Sequence, residues 1–210
     1  MLEKFRPQFE ESLAARLELR FDATQAILGE LAAGARADLL VLTTEALQNL
    51  NVSRVRALGS SGVGVAVRAG ARKPDIGSVD ALKRALESAQ SVAHSKVGAS
   101  GIYFVQLLAQ LGLAGRVKTV VIDKGPVGLA VAAGEAELGV QQLCELAPVA
   151  GIDIVGPLPG PVQKLTHFSA GIPADAANPK AASRLIELLT SEAARAAMRK
   201  GGIEPTAAGS

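Results

Sequence analysis

The sequence predicts a two-lobed α/β protein, and three observations lead there. Segments of strand length alternate with amphipathic helical segments through both halves of the chain. The alternation is interrupted by glycine-bearing β-like stretches at 55–70 and again at 166–172, which suits a chain passing between two lobes. A length of 210 residues is enough to bury a full core as one large domain or two small lobes.

In chain order, Leu2, Phe5, Phe9 and Leu13 share one side of a helix over 2–13, despite Pro7. The alternating LELRF at 17–21 predicts a strand. Asp22 and Thr24 open a helix over 23–33, which shows Ile27, Leu28 and Leu31 on its apolar stripe and closes at Gly34. ADLLVLT at 37–43 is a continuous apolar run, the mark of a strand buried on both faces of a parallel sheet. The stretch 55–70 (VRALGSSGVGVAVRAG) fits either a hairpin or one long strand between lobes. The βα rhythm resumes with a helix at 78–89, a strand at 91–95, a helix from Ser100, a strand at 117–123, a helix after Gly125-Pro126 and a strand at 138–142; that order predicts a second parallel sheet. Strand text returns at 152 and at 166–172. A closing helix over 179–200 has Asn178 as N-cap and Ala182, Leu185, Leu189, Ala193 and Ala197 inward, and the tail EPTAAGS is expected to be disordered.

Composition removes several function classes. Lys plus Arg is 22 against 20 for Asp plus Glu, with no basic cluster, which argues against a nucleic-acid partner. Aromatic residues are 3% with no Trp, so stacking platforms are scarce. Cys144 is the sole cysteine, which excludes an internal disulfide. No apolar run approaches the roughly 20 residues that span a bilayer, so no membrane insertion is expected. The first residues, MLEKFRPQFEES, carry charges where a secretory signal needs an apolar core; as written, the chain reads as cytoplasmic.

The stretch 91–112 (SVAHSKVGASGIYFVQLLAQLG) organises the reading of function. A short strand runs through a loop of small residues into a helix with Ser100 as N-cap and Ile102, Val105, Leu108 and Leu111 as its apolar stripe. A helix start of this kind aims free N–H groups at the crevice beyond the strand and can hold an anion without a dedicated cation.

The order of elements, together with the phrases FDATQAILGELAAGARADLLVLT (21–43), GASGIYF (98–104) and GEAELGVQQ (134–142), resembles the type II periplasmic-binding-protein fold. More narrowly, it is similar to the molybdate-binding branch of the substrate-binding proteins of ABC transporters. The resemblance implies lobes of 1–65 with 165–210, and of 66–164, with the ligand held between them. It also implies a solute-binding role for a small anion or carboxylate-like ligand, an ABC permease as partner and no cofactor. Residue by residue, it implies a ligand hydroxyl at Thr24, a helix start at Ser100 and Gly101, and a backbone amide at Val127. The molybdate branch has a tyrosine at the fourth position, where this chain has Gln141 or Gln142. An amide offers donors and an acceptor, which suits an organic ligand better than a bare oxyanion. Asp22, beside Thr24, would repel a dianion, and reads better as a helix cap.

An enzyme on the same scaffold is the alternative. His94 at a strand end and His167 on the returning crossing would be the acid/base pair of an isomerase or tautomerase. Cys144 reads as a small apolar residue, and the histidines and cysteine lack metal-ligand spacing. GSSGVG at 59–64 lacks the lysine and helix of a phosphate loop.

Members of the family that the chain resembles begin with a signal sequence and a β-strand central to the first lobe. Here the first residues already read as the helix that follows that strand. Unpaired backbone groups inside a core cost about 1–3 kcal/mol each. The expectation is therefore a start codon placed too far downstream, or a substitute segment from a second chain; an upstream signal sequence would give a periplasmic address.

Overall fold

The structure, a computed structural model, describes residues 2–22 and 24–207. In chain order the elements are α1 (Leu2–Leu13), α2 (Thr24–Ala32), β1 (Leu40–Thr43), α3 (Thr44–Gln48), β2 (Val52–Arg68), α4 (Val79–Ser88), β3 (Val92–Ser95), α5 (Ala99–Gln110) and β4 (Thr119–Ile122). The chain continues through α6 (Val127–Ala133), β5 (Leu138–Gln142), α7 (Leu143–Leu146), β6 (Ile152–Pro157), a 3-10 turn (Gly160–Val162), β7 (Leu165–Pro173), α8 (Pro179–Leu189), α9 (Glu192–Lys200) and β8 (Glu204–Pro205). Two compact units result. Unit 1 is Met1–Ser60, Thr166–Lys200 and Glu204–Ser210; unit 2 is Ser61–Leu165 and Gly201–Ile203. Of the predicted elements, the side chain of Leu2, the helix position Ala23 and tail residues 208–210 lie outside the described residues.

In unit 1, β1 pairs antiparallel with β7, which lies beside the first half of β2. The antiparallel pairing corrects the expected parallel strand at 37–43: only 40–43 pair, Leu40 and Leu42 face a cluster with Leu47, and Val41 is turned outward. An apolar run needs cover on both faces only when crossover helices supply it; here one face is covered, by Ile27, Leu28 and Leu31 of α2. The α2 helix ends where Gly34 takes a φ of 97°, a left-handed value that side chains resist.

The LELRF strand is a second correction. Residues 17–21 form no ladder, and the Leu17 N–H donates to the Glu10 carboxylate at 2.7 Å. Alternation prepares a strand but cannot supply the neighbour it must pair with. The tail is a third correction, because Glu204 and Pro205 pair with Ser60 and Gly59 of β2. The closing helix is a fourth. It breaks at Thr190-Ser191, where both hydroxyls bond carbonyls of the preceding turn and Ser191 Oγ accepts from Ala194 N. Ala182, Ile186 and Leu189 of α8 face inward, and past the break the buried face is one residue ahead of the predicted Ala193 and Ala197, at Ala194 and Met198. Asn178 stands at the N-cap position, but its side chain bonds Asp38 and not the helix.

In unit 2, β3 lies between β4 and β5, parallel to both, and β5 pairs antiparallel with the second half of β2. Strand β2 also pairs with β6, and it runs unbroken over Val52–Arg68, so the stretch from 55 is one long strand and not a hairpin. The core joins Val63, Val65 and Val67 of β2 to Leu82 and Leu86 of α4, Phe104 and Leu107 of α5, and Val140 of β5. Ala93 faces the other way, against Val127 and Val131 of α6. Helices therefore cover both faces of the sheet, and the loops after β3, β4 and β5 leave from its carboxyl edge, where an α/β sheet places its ligands.

Among the described residues, no helix is long and apolar enough to cross a membrane.

Candidate functional site

Strand β3 ends at Ser95, and the chain turns through Lys96–Gly98 into α5. The N-cap is Gly98, not Ser100 as the sequence predicts, and it has no side chain with which to cap. The N–H groups of Gly101 and Ile102 both donate to Gly98 O at 3.0 Å, while those of Ala99 and Ser100 meet no acceptor among the described residues. The helix start thus keeps free donors and the positive end of its dipole.

Two hydroxyls are buried in this turn. Ser95 Oγ and Ser100 Oγ are shielded from solvent and have no hydrogen-bond partner among the described residues, and Ser100 as a residue is only 2% exposed. The turn is wrapped tightly around Ser95: a Cβ at Gly101 would sit 1.8 Å from the Ser95 carbonyl oxygen, and one at Gly98 would sit 2.6 Å from Ser95 Oγ. Only glycine fits at 101, where backbone is met; at 98 a side chain would force the Ser95 hydroxyl to turn away. A buried hydroxyl without a partner costs about 1–3 kcal/mol, so two in one turn need an explanation.

The face α5 buries also differs from expectation. Ser100, Gly101, Phe104, Leu107 and Leu108 are inward, whereas Ile102 and Val105 are about half exposed, at 51% and 52%. That rotation carries Phe104 against His94, with ring centroids 5.5 Å apart. His94 is buried, and its Nδ1 lies 3.1 Å from the Ser95 carbonyl. A carbonyl only accepts, so Nδ1 carries a proton in this contact, which turns Nε2 to the opposite side of the ring. His167 is exposed on β7 of unit 1.

Strand β5 brings Gln141 and Gln142, both buried, to the same edge one residue past the His94–Val140 pairing. The Val127 N–H donates to Gln141 Oε1 at 2.9 Å. The two candidate ligand groups thus bond each other at the start of α6. Burial of its carboxyl raises Glu145, opposed by hydrogen bonds from the Gln142 backbone and the Gln141 side chain, although the residue as a whole keeps an exposed surface. Burial likewise pushes the Cys144 thiol up, away from the thiolate a nucleophile needs. Thr24 is the first residue of α2 in unit 1 and is half-buried.

Sequence reasoning passed over Ser95 and Lys96. The Lys96 N–H donates to Ile122 O at 2.9 Å, and its ammonium pairs with Asp123 at 2.9 Å across the loops after β3 and β4. The hydrogen bond and charge of Asp123 hold the Lys96 ammonium above its usual range. A hydroxyl and a cation at a strand end before a glycine-bearing turn were the available signal. Among the described residues, no group of three His, Cys, Asp or Glu side chains is placed to hold a metal ion.

The Gln141 bond is testable on its own. Gln141→Leu leaves the buried Val127 N–H unpaired and is expected to cost about 1–3 kcal/mol in urea unfolding with an unchanged m-value. A loss below a few tenths would mean that the bond does not hold the start of α6.

The chain matches the model of a family described as bacterial extracellular solute-binding protein over residues 1–204. It is 40% identical over 216 aligned positions to an aconitate isomerase from Pseudomonas sp, covering 96% of this chain and 82% of that protein. Among solved structures, it superposes on the Azotobacter vinelandii periplasmic molybdate-binding protein with a TM-score of 0.72 at 18% identity, covering 96% of this chain and 93% of that one. It superposes on PEB3 bound to L-phospholactate with a TM-score of 0.69 at 14% identity, over 96% and 93% of the two chains. The fold is that of the type II periplasmic-binding proteins.

Proposed function

The chain belongs to the bacterial extracellular solute-binding protein family, and on that premise we propose that it binds a small polycarboxylate of the aconitate class at the start of α5 and interconverts its isomers. The observation that carries the reading is the pair of partnerless hydroxyls, Ser95 and Ser100, beside the free N–H groups of Ala99 and Ser100. These are donors set for a carboxylate edge, and a ligand there removes the cost of leaving them unpaired. The relative named aconitate isomerase supplies the substrate class and the reaction.

Aconitate has a C=C bond between two carboxylate-bearing carbons and a methylene beside the third carboxylate. Interconversion of its cis and trans forms by proton transfer removes a proton from the methylene, spreads the electron pair over the allylic carbons, and returns a proton at the far carbon. No atom is gained or lost. The base must be neutral and close to the helix start. His94 is the group proposed for this role: its Nδ1–H bond to Ser95 O fixes the ring beside the turn, and Nε2 is the nitrogen left to exchange the proton. The helix start would stabilise charge developing on the carboxylate as the proton leaves.

Capture of a carboxylate for an ABC importer is the second reading, favoured by the family and by the solved binding proteins that share the fold. The family, described as extracellular, supports an address outside the cytoplasm. One experiment separates them: proton NMR of trans-aconitate with the protein in D2O. Appearance of the cis vinyl signal with deuterium uptake, abolished in His94→Gln, supports the enzyme; a ligand-induced rise in melting temperature without turnover supports capture. Neither response would refute the polycarboxylate reading.

Ser100→Ala should weaken binding about tenfold or more, since hydrogen bonds to charged groups are worth about 1.5–3 kcal/mol, yet leave unliganded stability unchanged or raised. Calorimetric titration and thermal unfolding read the two halves. A stability loss with unchanged affinity would assign the hydroxyl to the scaffold. The contributions proposed for Thr24, Gly101 and Gln142 are read by the same titration.

A further inference from the structure

We propose that Lys96 is a second carboxylate-binding group of the site on unit 2, held by Asp123 until ligand displaces it; this rests on the polycarboxylate reading above. A helix start carries about half a positive charge, which suits one carboxylate edge. An aconitate-type ligand brings three carboxylates, all ionised at neutral pH. The additional charge must meet cations, and the loops at the carboxyl edge of this sheet differ sharply in what they offer. The end of β5 carries Gln141 and Gln142, and α7 behind it carries Glu145, with no cation. The loop after β3 carries Lys96, and that after β4 carries Asp123 and Lys124.

Lys96 is the residue next to Ser95, so its backbone leaves from the same turn that buries the two free hydroxyls. The Lys96 N–H bond to Ile122 O extends the β3–β4 pairing one residue past Ser95 and holds the root of the side chain at the edge. Its ammonium lies 2.9 Å from Asp123, and both side chains are largely in water, 62% and 71% exposed. Exposed ion pairs are readily exchanged, because neither charge has been taken out of solvent to form them. A ligand carboxylate can therefore replace Asp123 on Lys96 without stranding a buried charge, and the freed Asp123 returns to water. On this view Asp123 also sets specificity: only a ligand that brings a carboxylate can take its place on Lys96, and a neutral ligand leaves the pair intact.

The test compares trans-aconitate and tricarballylate with acetate by calorimetric titration on wild type, Lys96→Met, Asp123→Asn and Ser100→Ala, with thermal unfolding of each variant as a folding control. Lys96→Met keeps the aliphatic stem and should weaken both tricarboxylates about tenfold, flatten their salt dependence, and change acetate less than about twofold. Asp123→Asn should tighten the tricarboxylates about three- to tenfold, because the competitor is gone and the cation remains. If both variants leave tricarboxylate affinity within twofold while Ser100→Ala weakens it, the assignment of Lys96 is overturned and the site stands. If Asp123→Asn weakens binding as Lys96→Met does, the pair is scaffold and the inference is again overturned. Failure of the wild type to bind either tricarboxylate overturns the reading on which the inference rests.

Discussion

Replacing Gly101 with alanine is expected to lower stability by about 1–2 kcal/mol and to abolish ligand binding. The added Cβ falls 1.8 Å from the carbonyl oxygen of Ser95 and 2.7 Å from its carbonyl carbon, both backbone atoms that cannot swing aside as a side-chain tip can. Either α5 shifts along its axis or β3 yields its last residue, and overpacking of this kind costs about 1–3 kcal/mol, occasionally more. The intrinsic gain of alanine over glycine in a helix, about 1 kcal/mol, offsets only part of it. The hydroxyls of Ser95 and Ser100 lose their arrangement in either case. Tyr103 is the only tyrosine and there is no tryptophan, so the near-ultraviolet tyrosine signal reports on α5 itself. Gly29→Ala is the matched control, because nothing lies within 4 Å of its added Cβ on α2, and it should gain about 0.5–1 kcal/mol. A Gly101→Ala protein with wild-type unfolding and affinity would mean that the turn does not wrap Ser95 as described.

The second large effect is Phe104→Ala, expected to cost about 3–5 kcal/mol. Phe104 is 1% exposed and is the largest of the fully buried side chains; it joins the valines of β2, Val140 of β5 and the His94 ring. Removing it opens a cavity that the sheet cannot close, since the strands are held by their ladders. Against a typical domain stability of about 5–15 kcal/mol, such a loss takes unit 2 near its limit. It also frees His94 on the side where the ring is held, so turnover should fall more than binding. Phe104→Leu, which keeps most of the volume, should cost about 1.5 kcal/mol or less. Urea unfolding followed through Tyr103 measures both. A loss under about 1 kcal/mol for Phe104→Ala would contradict the packing of α5 on the sheet.

The phase of α5 shows what a sequence pattern can and cannot decide. The segment 99–110 is apolar nearly all round, so two stripes compete, one through Ile102 and Val105 and one through Phe104 and Leu107. Local periodicity ranks them equally; the fit of Phe104 over His94 separates them. The cap tells the same story. Serine is a better N-cap than glycine, yet the helix begins before Ser100 and passes close to Ser95, an approach that Gly101 allows. Residue types at the candidate site were legible, as with the hydroxyl at 100 and the amides at 141 and 142. Their bonding was not, because Val127 and Gln141 meet across a βα unit, 14 residues apart.

The chain itself determines the alternation of elements, the glycine-bearing strand 52–68, the short apolar strands 92–95 and 138–142, and the small-residue turn between β3 and α5, because each rests on local periodicity, propensity or sterics. The tertiary structure alone decided which runs found partners. It left 17–21 without a ladder, gave 204–205 one on β2, made β1 antiparallel and split the last helix at Thr190-Ser191. It also decided that Ser95 and Ser100 are the hydroxyls left unsatisfied, while Gln141 and Val127 satisfy each other. A strand or a buried polar group is completed by a partner distant in sequence, and the free energy of that pairing is a property of the packed chain, not of any window along it.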